Sequence, residues 1–118
     1  MEYLLIVYED EALFEGGEDG EVFKRVMAAH NAFAEELVAA GAMRGGAGLA
    51  PVAAATTVRT QGGAKTLHDG PFAETKEQLG GVYHIEVPDL DAALAWARKL
   101  PLAQDGSVEV RPVMSCEP

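Results

Sequence analysis

The chain has 118 residues, 19 acidic against nine basic side chains and a formal charge of −10. That balance repels phosphate backbones and anionic lipid, and the basic residues are scattered rather than gathered in a stripe, so nucleic acid and membrane surfaces are disfavoured as partners. The single cysteine, Cys116, fits a reducing, cytoplasmic compartment rather than a disulfide framework, and at this length one domain over residues 1–118 with its own core is expected.

The first segment, "MEYLLIVYED", carries no basic leader and no small-residue cleavage pattern, and no stretch of the chain approaches roughly 18 apolar residues, so it reads as a strand. Tyr3, Leu5 and Val7 point one way and Leu4, Ile6 and Tyr8 the other; both sets are apolar, which predicts a central strand covered on both faces. The acid-rich run from Glu9 to Glu21 reads as a solvated connection, and no chemistry is assigned to it.

A helix is predicted from an N-cap at Asp19 to a left-handed stop at Gly41. Val22, Val26, Ala29, Phe33 and Leu37 form its apolar stripe, opposite Lys24, Arg25, Asn31, Glu35 and Glu36. His30 falls about 80° round the helix from Val22, inside the apolar arc, as either a satisfied core imidazole or a pocket group. The glycine-rich "AMRGGAGLAP" then predicts a short or bulged strand and a turn at Pro51. "TTVRT" and "KTLH" form a hairpin about the Gly-Gly of "QGGA".

The loop "DGPFAETKEQLGG" follows. Asp69 can accept backbone amides, Gly70 permits unusual angles, Pro71 fixes direction, and Phe72 is expected to anchor a rigid loop in the core. Gly80 and Gly81 should mark a bulge or a close backbone approach at the start of the strand "VYHIEV". Pro88 ends that strand, and Asp89 or Asp91 caps a second helix with the stripe Leu90, Ala93, Leu94, Ala97 and Leu100, Trp96 at its border. Pro101 stops the helix and "SVEVRPV" closes the chain as a last strand.

This order predicts an α+β fold of ferredoxin-like class: two helices on one face of a mixed or antiparallel sheet, with an inserted hairpin. Right-handed crossovers put both helices on one side, so the second apolar face of the first strand calls for a second copy of the chain. A homodimer with sheets face to face is expected.

The stretch "DGPFAETKEQLGGVYHIEV" resembles the motif of the DGPF-domain proteins within the wider YCII-related family, and "YLLIVYEDEA", "FAEEL", "ATTVRT", "DLDAALAWA" and "VEVRPV" extend the similarity over nearly the whole chain. The resemblance implies a ferredoxin-like domain paired as a dimeric α+β barrel. It also implies a pocket with a His–Asp pair, carried here onto His30 and Asp69, in a family with some relatives that act on small aromatic or chlorinated compounds. Genes of DGPF-domain proteins often neighbour extracytoplasmic-function sigma factors.

Such a pair makes chemical sense, because an imidazole with a pKa near 6.5 exchanges protons around neutrality and a carboxylate fixes its tautomer. With no G-x-S-x-G and Cys116 in a terminal tail, proton abstraction or elimination is favoured over acyl transfer. Glu74 and Lys76 accompany Asp69 in its loop as candidate ligand-binding groups. Arg44 and Arg59 either hold a substrate carboxylate or balance the acidic surface. His84 shares a strand face with Glu86, lining a dimer-facing pocket or simply a half-exposed sheet. There is no H-x-x-x-H, C-x-x-C, G-x-G-x-x-G or P-loop, so no metal and no cofactor are expected. The reading is a small cytoplasmic homodimer that binds a small organic molecule, with acid–base catalysis by His30 and Asp69 as its enzymatic form. The rival is a non-catalytic regulatory or interaction protein.

Overall fold

The computed structural model describes residues 1–115; Cys116, read above as a reduced thiol, lies outside them. The elements are β1 (Glu2–Glu9), α1 (Glu21–Ala39), β2 (Met43–Gly48), β3 (Thr56–Gln61), β4 (Ala64–Asp69), β5 (Gln78–Glu86), α2 (Leu90–Lys99) and β6 (Gly106–Pro112). Four strands form one sheet in the order β2-β5-β1-β6, with β1 antiparallel to both neighbours and β2 antiparallel to β5. With one helix after β1 and one after β5, this is the ferredoxin-like α+β arrangement. The hairpin β3–β4 is a separate two-stranded sheet.

Local chemistry sets the helix limits. Gly41 takes φ 70°, its N–H donates to the Val38 carbonyl, and Ala42 N–H donates to the Leu37 carbonyl at 2.9 Å. This pair of bonds is the Schellman stop, which a glycine reaches without Cβ strain. Asp89 caps α2 by accepting Ala92 N–H at 2.9 Å. At the start of α1 the expectation is corrected: Gly20 is the cap with no side-chain bond, and Asp19 ends a short 3₁₀ turn. The glycines between Gly16 and Gly20 let the chain turn twice before the helix, so its entry needs no side-chain acceptor.

The core lies between the helices and one sheet face. Tyr3, Leu5 and Val7 from β1 meet Phe33 and Leu37 from α1, Ile85 from β5, and Ala93 with Leu100 at the second helix. Burying each leucine there contributes roughly 1.5–3 kcal/mol. Phe33 sets edge-to-face contacts with Tyr83 at 5.1 Å and with Trp96 at 5.9 Å, joining both helices to the sheet. The stripe of α2 is narrower than expected: Leu90, in its first turn, is 48% exposed.

Two further expectations change. β1 is central, but only its Tyr3–Leu5–Val7 side lies under helices; Leu4, Ile6 and Tyr8 face the side without helices, where Ile6 is buried and Leu4 and Tyr8 are half-buried. Phe72 is 71% exposed rather than an anchor in the core, and the Arg59 guanidinium lies over its ring at 5.5 Å. The hairpin that precedes Phe72 stands away from the main sheet, so the core offers this ring no slot. The Gly62–Gly63 turn of that hairpin has both residues at positive φ, as a two-residue turn of the I′ kind requires. Bulges sit where the glycines predicted them, at Gly80 on β5 and at Arg44 on β2.

Candidate functional site

A cavity of about 970 Å³ opens between the first half of α1 and the β2–β5 side of the sheet. Glycine makes it. Gly46 and Gly48 pair with Tyr83 and Gly81, and Gly81 pairs with Val7, so all three glycines face α1 with no side chain. α1 rests on Tyr83 and on the core beyond it, and the bare backbone leaves the space. Gly81 also has no alternative, because a Cβ there would lie 2.9 Å from the Ala47 carbonyl oxygen; at Gly48 it would meet nothing within 4 Å.

His30 stands on the wall of this cavity. Its Nδ1 is 2.7 Å from the Tyr83 hydroxyl, and the two rings lie nearly parallel, 8° apart, with centroids 5.8 Å apart. Burial lowers the imidazole pKa below its ordinary 6.5, opposed by the Pro101 carbonyl. Burial raises the Tyr83 phenol above 10.0. Near neutrality the ring is therefore uncharged and the phenol keeps its proton. With the phenol donating a hydrogen bond to Nδ1, the neutral ring carries its proton on Nε2, while a protonated ring donates from Nδ1 to the phenol oxygen. The contact survives both protonation states, which is what a proton-exchanging unit needs.

The acidic run that starts at Glu9 lines the other end of the cavity through Glu9, Glu11 and Phe14, while Glu15 to Asp19 stay exposed as a solvated connection would. Glu9 continues the inward series of Tyr3, Leu5 and Val7 and is only 8% exposed. Its Oε2 accepts Ala103 N–H at 2.8 Å. Burial raises its carboxyl pKa, opposed by that amide and reinforced by the Glu77 charge. Glu11 ties the wall together: its N–H donates to Gln78 Oε1 and its Oε2 accepts Val52 N–H, both at 2.9 Å.

The other sequence candidates lie elsewhere. Asp69 ends β4 opposite Thr56, exposed and off the cavity wall; the chain places Tyr83, not Asp69, against His30. The turn after Asp69 is held by its backbone, with Gly70 at φ 104° donating to the Ala55 carbonyl and accepting the Thr57 hydroxyl at 2.8 Å. Glu74 and Lys76 are exposed in the following loop. Arg44, at the β2 bulge, turns back to the Gly41 and Met43 carbonyls. His84 is on the face of the sheet without helices, its Nε2 2.7 Å from Glu2 Oε1 but out of line for a hydrogen bond.

Sequence reasoning missed Tyr83 and Glu9. The signal for both was alternation: Tyr83 shares the inward set with Ile85, and Glu9 shares it with Val7, so each placed a polar tip beside the core. Among the described residues no three His, Cys, Asp or Glu side chains are placed to hold a metal ion, and no helix is long and apolar enough to cross a membrane.

The sequence matches the YCII-related domain over residues 1–117. It is also 42% identical, over 120 aligned positions, to an uncharacterised protein of Rhizobium meliloti (strain 1021), an alignment that covers all of this chain and 96% of the relative. With the ferredoxin-like sheet and near end-to-end matches to both, the chain belongs to the YCII-related domain family.

Proposed function

We propose that the protein binds a small organic molecule in the cavity under α1 and that the His30–Tyr83 unit exchanges a proton with it. The observation that carries this reading is the 2.7 Å contact between a neutral imidazole and a protonated phenol on the wall of a largely apolar cavity. A pocket of this size, apolar with a few convergent polar groups, is the ordinary form of a small-molecule site. Proton abstraction or elimination fits, the ligand's proton passing to the Tyr83 oxygen as the phenol proton moves to His30 Nδ1.

The working form in this reading is a cytoplasmic homodimer. The hairpin β3–β4 supports it: Val58 and Leu67 are cross-strand partners, 60% and 76% exposed, and an isolated two-stranded hairpin is marginal in water. Asp69 enters through the same assembly, since docking of the hairpin on another copy is what would bring its carboxylate to a His30. The exposed apolar hairpin also favours a second reading, a non-catalytic interaction protein that docks through Val58, Leu67 and Phe72.

A metabolite screen by thermal shift tests the first reading, because a ligand at 100 times its dissociation constant stabilises by about 2.7 kcal/mol. For a ligand so found, His30→Asn should leave affinity within a few-fold and lower turnover by roughly 100-fold. Ligand binding with no turnover in the wild type removes the catalytic form. Ligands that bind equally well when the cavity is blocked remove the site.

A further inference from the structure

The cavity walls carry charge of one sign. Glu9, Glu11 and Glu18 line them, and no Lys or Arg does so among the described residues. Glu9 is the informative one. It is more than nine-tenths buried, its Oε2 is taken by the Ala103 amide, and its other oxygen has no hydrogen-bond partner among the described residues. The Glu77 charge, of like sign, acts on it. A buried carboxylate normally has a cation beside it, because desolvating the charge unpaired is costly. Among the described residues no Lys or Arg forms an ion pair with Glu9, Arg25 being turned to the Ala103 carbonyl at 3.1 Å, and Glu9 lines space that a ligand can enter.

The rest of the wall suits the body of such a ligand. Phe14 and Phe23 meet edge to face, with centroids 6.4 Å apart, and Val26 and Met27 continue the apolar side. Aromatic faces attract cations as well as apolar groups. The formal charge of −10 on the whole chain adds a field of the same sign at longer range.

Resting on the ligand-binding reading above, we infer that the cavity takes an organic cation: a protonated amine or amidine on an apolar or aromatic body, its charge at Glu9 and its body against Phe14, Phe23 and Met27. The guest's charge supplies the counter-ion that Glu9 lacks and holds the carboxyl ionised. It also sets the molecule along the cavity, charged end at Glu9 and uncharged part toward His30. A carboxylate or phosphate would meet acids and no Lys or Arg on the wall, since Arg44 and Arg59, the candidate carboxylate holders, lie off it.

Three probes of one shape decide the matter: 2-phenylethylamine, 2-phenylethanol and phenylacetate, titrated into the full chain near neutral pH at low salt. The amine should bind at least about 10-fold more tightly than phenylacetate, a difference of ~1.4 kcal/mol. Glu9→Gln keeps an acceptor for the Ala103 amide, and in it the amine's advantage should fall to within about 3-fold while the alcohol's affinity holds. Equal binding of the three overturns charge selection and leaves the cavity as a ligand site. Tighter binding of phenylacetate, or an amine preference that survives Glu9→Gln, overturns the assignment to Glu9. Binding of none overturns this inference, while the metabolite screen decides the reading on which it rests. The wild-type ranking stands as a test by itself should Glu9→Gln fail to fold.

Discussion

Replacing Gly48 with Leu separates the cavity from the fold. At Gly48 a Cβ would meet no atom within 4 Å, and the residue lines the cavity on the side that faces α1. The new side chain therefore rises into empty space without moving backbone. In an extended segment, exchanging glycine for a residue with a Cβ reduces the entropy lost on folding, by roughly 0.5–1 kcal/mol. The variant should be as stable as the parent or slightly more so, with a melting temperature unchanged or raised by a few degrees. Any ligand lying on the glycine floor loses its place, so affinity should fall at least about 10-fold, or ~1.4 kcal/mol. The control is Gly81→Ala, where the added Cβ would stand 2.9 Å from the Ala47 oxygen and the strand must shift. That variant should be destabilised by about 1–3 kcal/mol, the usual cost of overpacking. Thermal unfolding with isothermal titration of both variants reads out the contrast. A Gly48→Leu protein that is destabilised as much as Gly81→Ala, or that binds ligand as the parent does, refutes the glycine-floor account.

Three other outcomes follow from the same geometry. Because the His30 pKa is lowered by burial, the unfolded chain takes up this proton first as pH falls; His30 should therefore cost the native state stability as pH drops from about 6.5 toward the folded value, and melting curves of His30→Asn should show a shallower decline in that window. Glu9 acts in the opposite sense: with its folded pKa raised above 4.5, its contribution is fully present below 4.5 and is lost as pH rises through the folded value, so Glu9→Gln should remove that loss in the same melting series. Leu67→Glu, on the exposed face of the hairpin, should leave circular dichroism unchanged and shift the sedimentation coefficient from dimer to monomer; a parent that is monomeric at micromolar concentration removes the dimer reading.

Much of the fold was legible in the sequence because local signals and core periodicity agree. Phe33 and Leu37 recur on one face of α1, Gly41 supplies the left-handed stop, Asp89 caps α2, and the paired glycines mark the turn and the bulges. Phe72 was misplaced because a turn motif specifies its own backbone but not what the turn packs against; nothing in "DGPF" reveals that the hairpin before it leaves the sheet. Within one chain Asp69 lies off the cavity wall for the same reason. A motif's distinctness says how a loop is built, while proximity depends on strand order, and strand order places β5, with Tyr83, beneath His30.

The parts of the site that sequence reading passed over share a physical character. Gly46, Gly48 and Gly81 create the cavity by what they lack, and a missing side chain leaves no mark in a hydrophobic pattern beyond an apparent weakness in the strand. Tyr83 and Glu9 occupy inward positions that periodicity assigns to the core, and a residue type that breaks the apolar series there is the informative one. In an inward series such as Tyr3, Leu5, Val7, Glu9, the acid at the end is where the core stops and the cavity starts. The strand's own pattern thus locates one end of the site, and the glycines of the neighbouring strands give it depth. That combination, rather than the conspicuous turn at Asp69, is why the chemistry of this chain is sought under α1.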